Sequence, residues 1–153
     1  MPPLWLAMIL DQVNLVVSDM EATVDFYELL GLEFPDTAPE WQGHHRTVTM
    51  PSGIALDFDS MEFAKIWNRG TTPQPGGTGS VIGFRVESRE HVDALYSRAT
   101  TAGYRGQQEP YDAFWGARYA VLEDPDGQPI GIMSPIDQSR REPPPATPSA
   151  RAE

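Results

Sequence analysis

DQVNLVVSDMEATVDFYELLGLEF, residues Asp11 to Phe34, reads as a strand, a capped turn, an amphipathic helix and the start of a second strand. Val13, Leu15 and Val17 alternate with Gln12, Asn14 and Val16, the period of two expected of a strand with one helix-covered face. Ser18 and Glu21 fit an S-x-x-E capping box. Val24, Tyr27 and Leu30 follow at helical spacing, Phe26 and Leu29 broaden the stripe, and Gly31 stands where a left-handed C-terminal residue is expected. Pro35 ends the apolar run around Phe34.

Outward from this unit the chain gives a polar connection, Asp36 to Gly43, with Trp41 in its middle. A hairpin follows, from His45 to Met50 and from Ile54 to Asp59, about a Pro51-Ser52-Gly53 turn. Ser60 to Arg69 reads as a helical turn or two, and Gly70 to Gly79 (GTTPQPGGTG) as a linker. The pattern then restarts. Val81 to Val86 is a strand, Ser88 caps a helix with Val92, Leu95, Tyr96, Ala99 and Ala102 on its apolar stripe, and Tyr104 to Gln108 is a short strand. An aromatic loop, Pro110 to Gly116, precedes strands at Ala117 to Glu123 and Ile130 to Ser134. Val13, Leu15, Val17, Glu21 and Tyr27 align with Ile82, Phe84, Val86, Glu90 and Tyr96 at an offset of 69, and Pro51-Ser52-Gly53 with Pro125-Asp126-Gly127 at an offset of 74. An internal repeat of a strand, a helix and three strands is expected.

The fold class is therefore α+β, with two tandem βαβββ modules around a concave, mostly antiparallel sheet and helices outside. One domain is expected over residues 8–136, with module one at about 8–69, a linker at 70–79 and module two at about 80–136. The Pro-rich run 137–153 is expected to be a disordered tail.

With 11 Lys and Arg against 22 Asp and Glu, the formal net charge of −11 argues against nucleic acid or an anionic membrane as partner. Cysteine is absent, which removes thiol nucleophiles and thiolate metal sites. No Lys or Arg precedes the short apolar stretch Leu4 to Leu10, so a leader to the first strand and a cytoplasmic location are expected. No nucleophile elbow, phosphate-cradling loop or H-E-x-x-H motif occurs.

A duplicated βαβββ module with a V-N-L-V-V-S-D…F-Y-x-x-L-G-L opening and a closing D-P-D-G-x-x-I resembles the vicinal oxygen chelate superfamily, over roughly Ile9 to Pro135. That group holds glyoxalase I, extradiol dioxygenases, fosfomycin-modifying transferases and bleomycin-resistance proteins. The resemblance implies metal-ligand places at the start of each first strand and in each last strand, here Gln12, Val81, Asp57 and Gly131. Val81 and Gly131 offer no donor, and Asp57 is one carboxylate on its own, so no metal and no cofactor are expected.

Strand alternation sends Gln12, Asn14 and Val16 into the concavity, with Ala55, Asp57 and Asp59, and with Val81, Gly83, Arg85, Gly131 and Met133. Small residues there leave room for an organic ligand. Gln12, Asn14, Trp41, His45, Asp57, Arg85, Trp115 and Met133 are the candidate ligand-binding residues. Arg85 and Asp57 read equally as a structural ion pair. Trp41, Tyr111, Phe114 and Trp115 read as aromatic walls for a planar ligand, or as loop and dimer anchors. His44 and His45 are adjacent and point to opposite strand faces; one reads as an acid or base with Asp57, or simply as a hydrogen-bonded histidine.

The first functional expectation is a metal-independent small-molecule binder of the bleomycin-resistance type, acting by sequestration as a homodimer. The alternative is a glyoxalase- or dioxygenase-like lyase, isomerase or oxygenase, with a non-standard metal site or acid–base catalysis by His45 and Asp57. A regulatory module without ligand fits the small inward residues less well, because they would leave a void.

Overall fold

A computed structural model describes residues 9–68 and 80–144. The expected leader, linker and outer tail lie outside these residues. The chain divides into two compact units, Met1–Gly76 and Gly77–Glu153, each with its own sheet.

The first unit runs β1 (Gln12–Val17), α1 (Met20–Leu29), β2 (His45–Thr49), β3 (Ala55–Ser60) and α2 (Met61–Trp67), with a 3-10 turn at Pro39–Trp41. Its sheet has the order β1-β3-β2. β1 lies parallel to β3 because α1 carries the chain back across the sheet, whereas the tight Pro51-Ser52-Gly53 turn makes β2 and β3 antiparallel. Leu15, Val17, Val48, Leu56 and Phe58 share the face that meets α1. Phe26, Tyr27 and Phe58 are fully buried, and the Tyr27 and Phe58 rings stand 4.8 Å apart. That burial, rather than helix propensity, holds a helix of 10 residues in place.

Two expectations shift here. The helix is capped one residue later, by Asp19, whose carboxylate accepts from the Ala22 N–H at 3.0 Å. Asp is as good a cap as Ser, and the helix begins at Met20, so Glu21 falls one place short of the capping-box position. Nor does a second strand begin at Phe34: no strand lies between α1 and β2. Pro35 and Pro39 remove two ladder donors, and the Phe34 ring packs on Phe58 at 5.4 Å with the Arg46 guanidinium 5.3 Å above it.

The second unit runs β4 (Ile82–Arg85), α3 (Arg89–Thr101), β5 (Gly106–Asp112), β6 (Arg118–Glu123) and β7 (Pro129–Met133), with sheet order β4-β7-β6-β5. β4 and β7 are parallel, and the other two ladders antiparallel. Across the two units, three of the five strand pairings are antiparallel. Ser88 caps α3 as expected, accepting from the His91 N–H. Val92, Leu95 and Ala99 bury that helix, and Ala120, Leu122, Ile130 and Ile132 form the buried apolar positions of β6 and β7.

β5 extends four residues beyond the expected end at Gln108, reaching Asp112 through register shifts, so Pro110 and Tyr111 belong to a strand and the aromatic loop shrinks to 113–117. An edge strand tolerates a proline, and β5 is one. The start of the tail expected to be disordered is also folded. Asp137 N–H donates to Gly116 O at 3.0 Å and Glu142 N–H to Phe114 O at 2.8 Å, flanking a 3-10 turn at Gln138–Arg140. Gly116 permits this: its φ is +95°, and a Cβ there would stand 2.4 Å from Asp137 O. Among the described residues no helix is long and apolar enough to cross a membrane.

Candidate functional site

In the first unit, the register stacks polar side chains on the sheet face opposite α1. Asn14 and Thr47 flank Asp57, and His45 pairs with Asp59. Asn14 Nδ2 donates to Asp59 Oδ2 at 2.8 Å, and His45 Nδ1 meets Asp59 Oδ1 at 2.5 Å. Thr47 Oγ1 lies 3.0 Å from His45 Nε2 and donates to Asp57 Oδ1 at 2.7 Å. Asp59 is 1 % exposed and Asp57 8 %, so these carboxylates owe their place to this network. Asn14 Oδ1 is buried with no hydrogen-bond partner.

Aromatic groups border the imidazole. Phe63, from α2, presents its ring to His45 at 5.5 Å and to Trp41 at 5.3 Å. Trp41 remains 45 % exposed. His44 turns elsewhere, with Nδ1 at 2.9 Å from Ser60 Oγ and 3.7 Å from the Glu62 carboxylate.

Of the candidates in this unit, Asn14, His45 and Asp57 are brought together, Trp41 stands one ring away, and Gln12 is exposed at the start of β1. Sequence reasoning paired His45 with Asp57. The structure gives it Asp59, with Thr47 bridging to Asp57. The signal was available in the period of two: Thr47 follows His45, and Asp59 follows Asp57, by two residues on one strand face.

In the second unit, the face opposite α3 is aromatic. Trp115 stands 5.2 Å from Phe114, 5.5 Å from Tyr119 and 6.4 Å from Tyr111, each at a steep edge-to-face angle. Its indole N–H donates to Met133 Sδ at 3.3 Å, which fixes the ring against β7. Tyr119 lies over Gly131: a Cβ on that glycine would come within 2.9 Å of the phenol oxygen. Burial, helped by nearby Tyr111, pushes the Tyr119 phenol above its ordinary value, so it is un-ionised at neutral pH. Tyr119 was missed, because only the register shows that its ring covers a glycine on the next strand.

Trp115 and Met133 are thus brought together, while Arg85 stands exposed on β4, in register with Met133. Asp57 takes its hydrogen bond from Thr47 within its own unit. On the α3 side, Arg118 bonds Asp93 at 2.9 Å and Asp112 at 3.3 Å, and Arg89 also pairs with Asp112. Burial works to raise the Asp112 carboxyl, but the two guanidinium groups outweigh it and hold it below the ordinary value. These exposed pairs brace the loop and carry little stability of their own.

A groove of about 440 Å³, lined in part by Met20, Glu21, Asp25 and Arg46, lies on the α1 side of the first sheet, away from the His45 face.

Residues 9–132 match the family described as the Glyoxalase/Bleomycin resistance protein/Dioxygenase superfamily. The chain belongs to that superfamily. No protein of curated function matches it. Among solved structures, a hypothetical protein from S. aureus is similar at a TM-score of 0.69 and 22 % identity, over 86 % of this chain and 99 % of that one. A glyoxalase/bleomycin resistance protein/dioxygenase family enzyme from Burkholderia phytofirmans has a TM-score of 0.69 and 23 % identity, over 83 % and 98 %. A glyoxalase/bleomycin resistance protein/dioxygenase from Nocardioides reaches 0.66 and 20 %, over 92 % and 90 %. At these identities the likeness is one of fold.

The glyoxalase-superfamily metal, tested against the places the resemblance implies, does not fit. Val81 carries no donor, Gly131 lies under the Tyr119 ring, Gln12 is exposed, and the Asp57 carboxylate takes the Thr47 hydrogen. Among the described residues no group of three or more His, Asp or Glu side chains is arranged to hold a metal ion.

Proposed function

We propose that this superfamily member is a metal-independent small-molecule-binding protein of the bleomycin-resistance type, acting by sequestration on a planar or aromatic ligand. The observation that carries the reading is the aromatic face of the second unit, where the Trp115 ring is held by Met133 and edged by Tyr111, Phe114 and Tyr119. Edge-to-face rings fixed by a sulfur contact make a rigid surface, and a rigid surface costs a ligand little ordering on binding. Tyr111 and Phe114 keep 38 % and 39 % of their surface exposed, which leaves apolar area for stacking. The acidic chain favours a neutral or cationic ligand over an anionic one.

The test is equilibrium binding of a panel of planar aromatic compounds, read by tryptophan fluorescence. Trp115→Ala is expected to weaken the best binder by about 1–3 kcal/mol, the value of burying a large side chain. Unchanged affinity would return Trp115 to a purely structural role. Trp41→Ala, on the first unit, distinguishes a ligand held by the second unit alone from one that also uses the Trp41–Phe63 edge.

Association as a homodimer in the cytoplasm belongs to the same reading, because each sheet ends in edge strands that invite pairing. A sedimentation-equilibrium mass of one chain would remove the dimer.

A second reading is favoured by one observation, the His45–Asp59 contact. A histidine oriented by a buried carboxylate is equipped for proton transfer. It would make the chain a lyase, isomerase or oxygenase of the glyoxalase or dioxygenase kind.

A further inference from the structure

Three hydrogen bonds run in series across the polar face of the first unit. They join Asp57 Oδ1 to Thr47 Oγ1, Thr47 Oγ1 to His45 Nε2, and His45 Nδ1 to Asp59 Oδ1, at 2.7, 3.0 and 2.5 Å. Each needs one hydrogen between its heavy atoms, since two lone pairs at such distances repel. The threonine hydroxyl supplies one and a neutral imidazole supplies one. Three bonds therefore share two hydrogens unless the network holds another.

No rearrangement of directions removes the deficit. If Thr47 donates to Asp57, its oxygen must accept from an Nε2–H, and Nδ1 then faces a carboxylate oxygen bare. If the imidazole donates to Asp59 instead, Thr47 must donate to Nε2, and Asp57 faces the hydroxyl oxygen bare. Asn14 gives no relief, because its amide donates to the other oxygen of Asp59. We infer that this face is an acid–base site that holds one proton beyond those of a neutral histidine and two ionised carboxylates.

Placed on His45, that proton lets Nδ1 donate to Asp59 and Nε2 to Thr47 while Thr47 donates to Asp57, so that all three bonds are made. The groups facing the ring are Asp57 and Asp59 from β3, Thr47 from β2, Asn14 through Asp59 from β1, and the Phe63 ring from α2. His44 and Glu62 pair with each other beside it. The His45 side chain is 39 % exposed and that of Asp59 only 2 %, so the imidazole is the end of the pair that a ligand or water reaches. The proton it can hand over passes from a ring nitrogen to an oxygen or nitrogen of the ligand, leaving a neutral imidazole. Among the described residues the superfamily's metal finds no ligand set, and a protonated histidine supplies a positive charge of its own.

The test is long-range proton–nitrogen correlation NMR on the full chain with labelled histidine, the His45 signals being assigned by His45→Gln. At neutral pH both ring nitrogens of His45 are expected to carry hydrogens. Thr47→Ala deletes the two bonds that Thr47 makes and lets a neutral ring satisfy Asp59 alone. In that variant the second ring hydrogen should be lost at a lower pH than in the wild type. Asp59→Asn should lower that pH as well, which covers the case in which one variant fails to fold. A bare ring nitrogen on His45 in the wild type at neutral pH would overturn the inference, as would a loss at the same pH in both folded variants.

Discussion

Phe58→Ala is expected to lower the free energy of unfolding by about 3–5 kcal/mol, the range for deleting a buried aromatic ring from a packed core. The reasons are local. Phe58 is fully buried in the centre strand of the first sheet, with the Tyr27 ring at 4.8 Å and the Phe34 ring at 5.4 Å. Neither neighbour is free to fill the gap. Tyr27 is itself fully buried and packed edge-on to Phe26 at 5.0 Å, and Phe34 is covered by Arg46. Chemical denaturation should show the midpoint falling with little change in slope. A loss under about 1 kcal/mol would mean that the site collapses around the missing ring, contrary to the packing described here.

Asp59→Ala comes next, at about 3 kcal/mol, the scale of breaking a buried charged pair from one side. Two groups lose their partner at once: His45 Nδ1 and Asn14 Nδ2. Asp59 is 1 % exposed, so water does not readily replace the carboxylate. Asp59→Asn keeps an acceptor in place and should cost clearly less. Thermal unfolding of the two variants side by side separates hydrogen bonding from mere volume. An alanine variant as stable as the wild type would show that the network is incidental to the fold, and equal losses would show that the acceptor kept by asparagine does not replace the carboxylate.

Much of this architecture was legible before any coordinates. The alternation in β1, the stripe of α1 and the repeat at offsets of 69 and 74 are one-dimensional signals of burial on one face, and burial is what positions those elements. Where the expectations missed, the deciding contact was distant in sequence. Phe34 reads as strand-forming, yet it finds Phe58 and Arg46, 24 and 12 residues away, and the two prolines that follow it, Pro35 and Pro39, deny the segment a ladder. Tyr111 reads as loop until the register shifts of β5 set it beside Tyr119. The segment after Asp137 has a disordered composition, and backbone bonds to Phe114 and Gly116 hold its first residues.

The site divided the same way. Parity along the strands put Asn14, Asp57 and Asp59 on one face correctly, because alternation is a property of the backbone. Which carboxylate His45 meets depends on the stagger between β2 and β3, and one hairpin turn sets that. Choosing Asp57 over Asp59 was an error of one register step of two residues.

We propose that this superfamily member works without the superfamily's metal, its ligand places being taken by a valine, a glycine under Tyr119, an exposed glutamine and an aspartate engaged by Thr47. Elemental analysis of the untagged, gently purified protein for zinc, iron, manganese and nickel tests it most directly. A substoichiometric content of every metal is expected, unchanged in Asp57→Asn, with binding of a planar ligand unaffected by a chelator. One full equivalent of a single metal per chain, lost in Asp57→Asn, would contradict it.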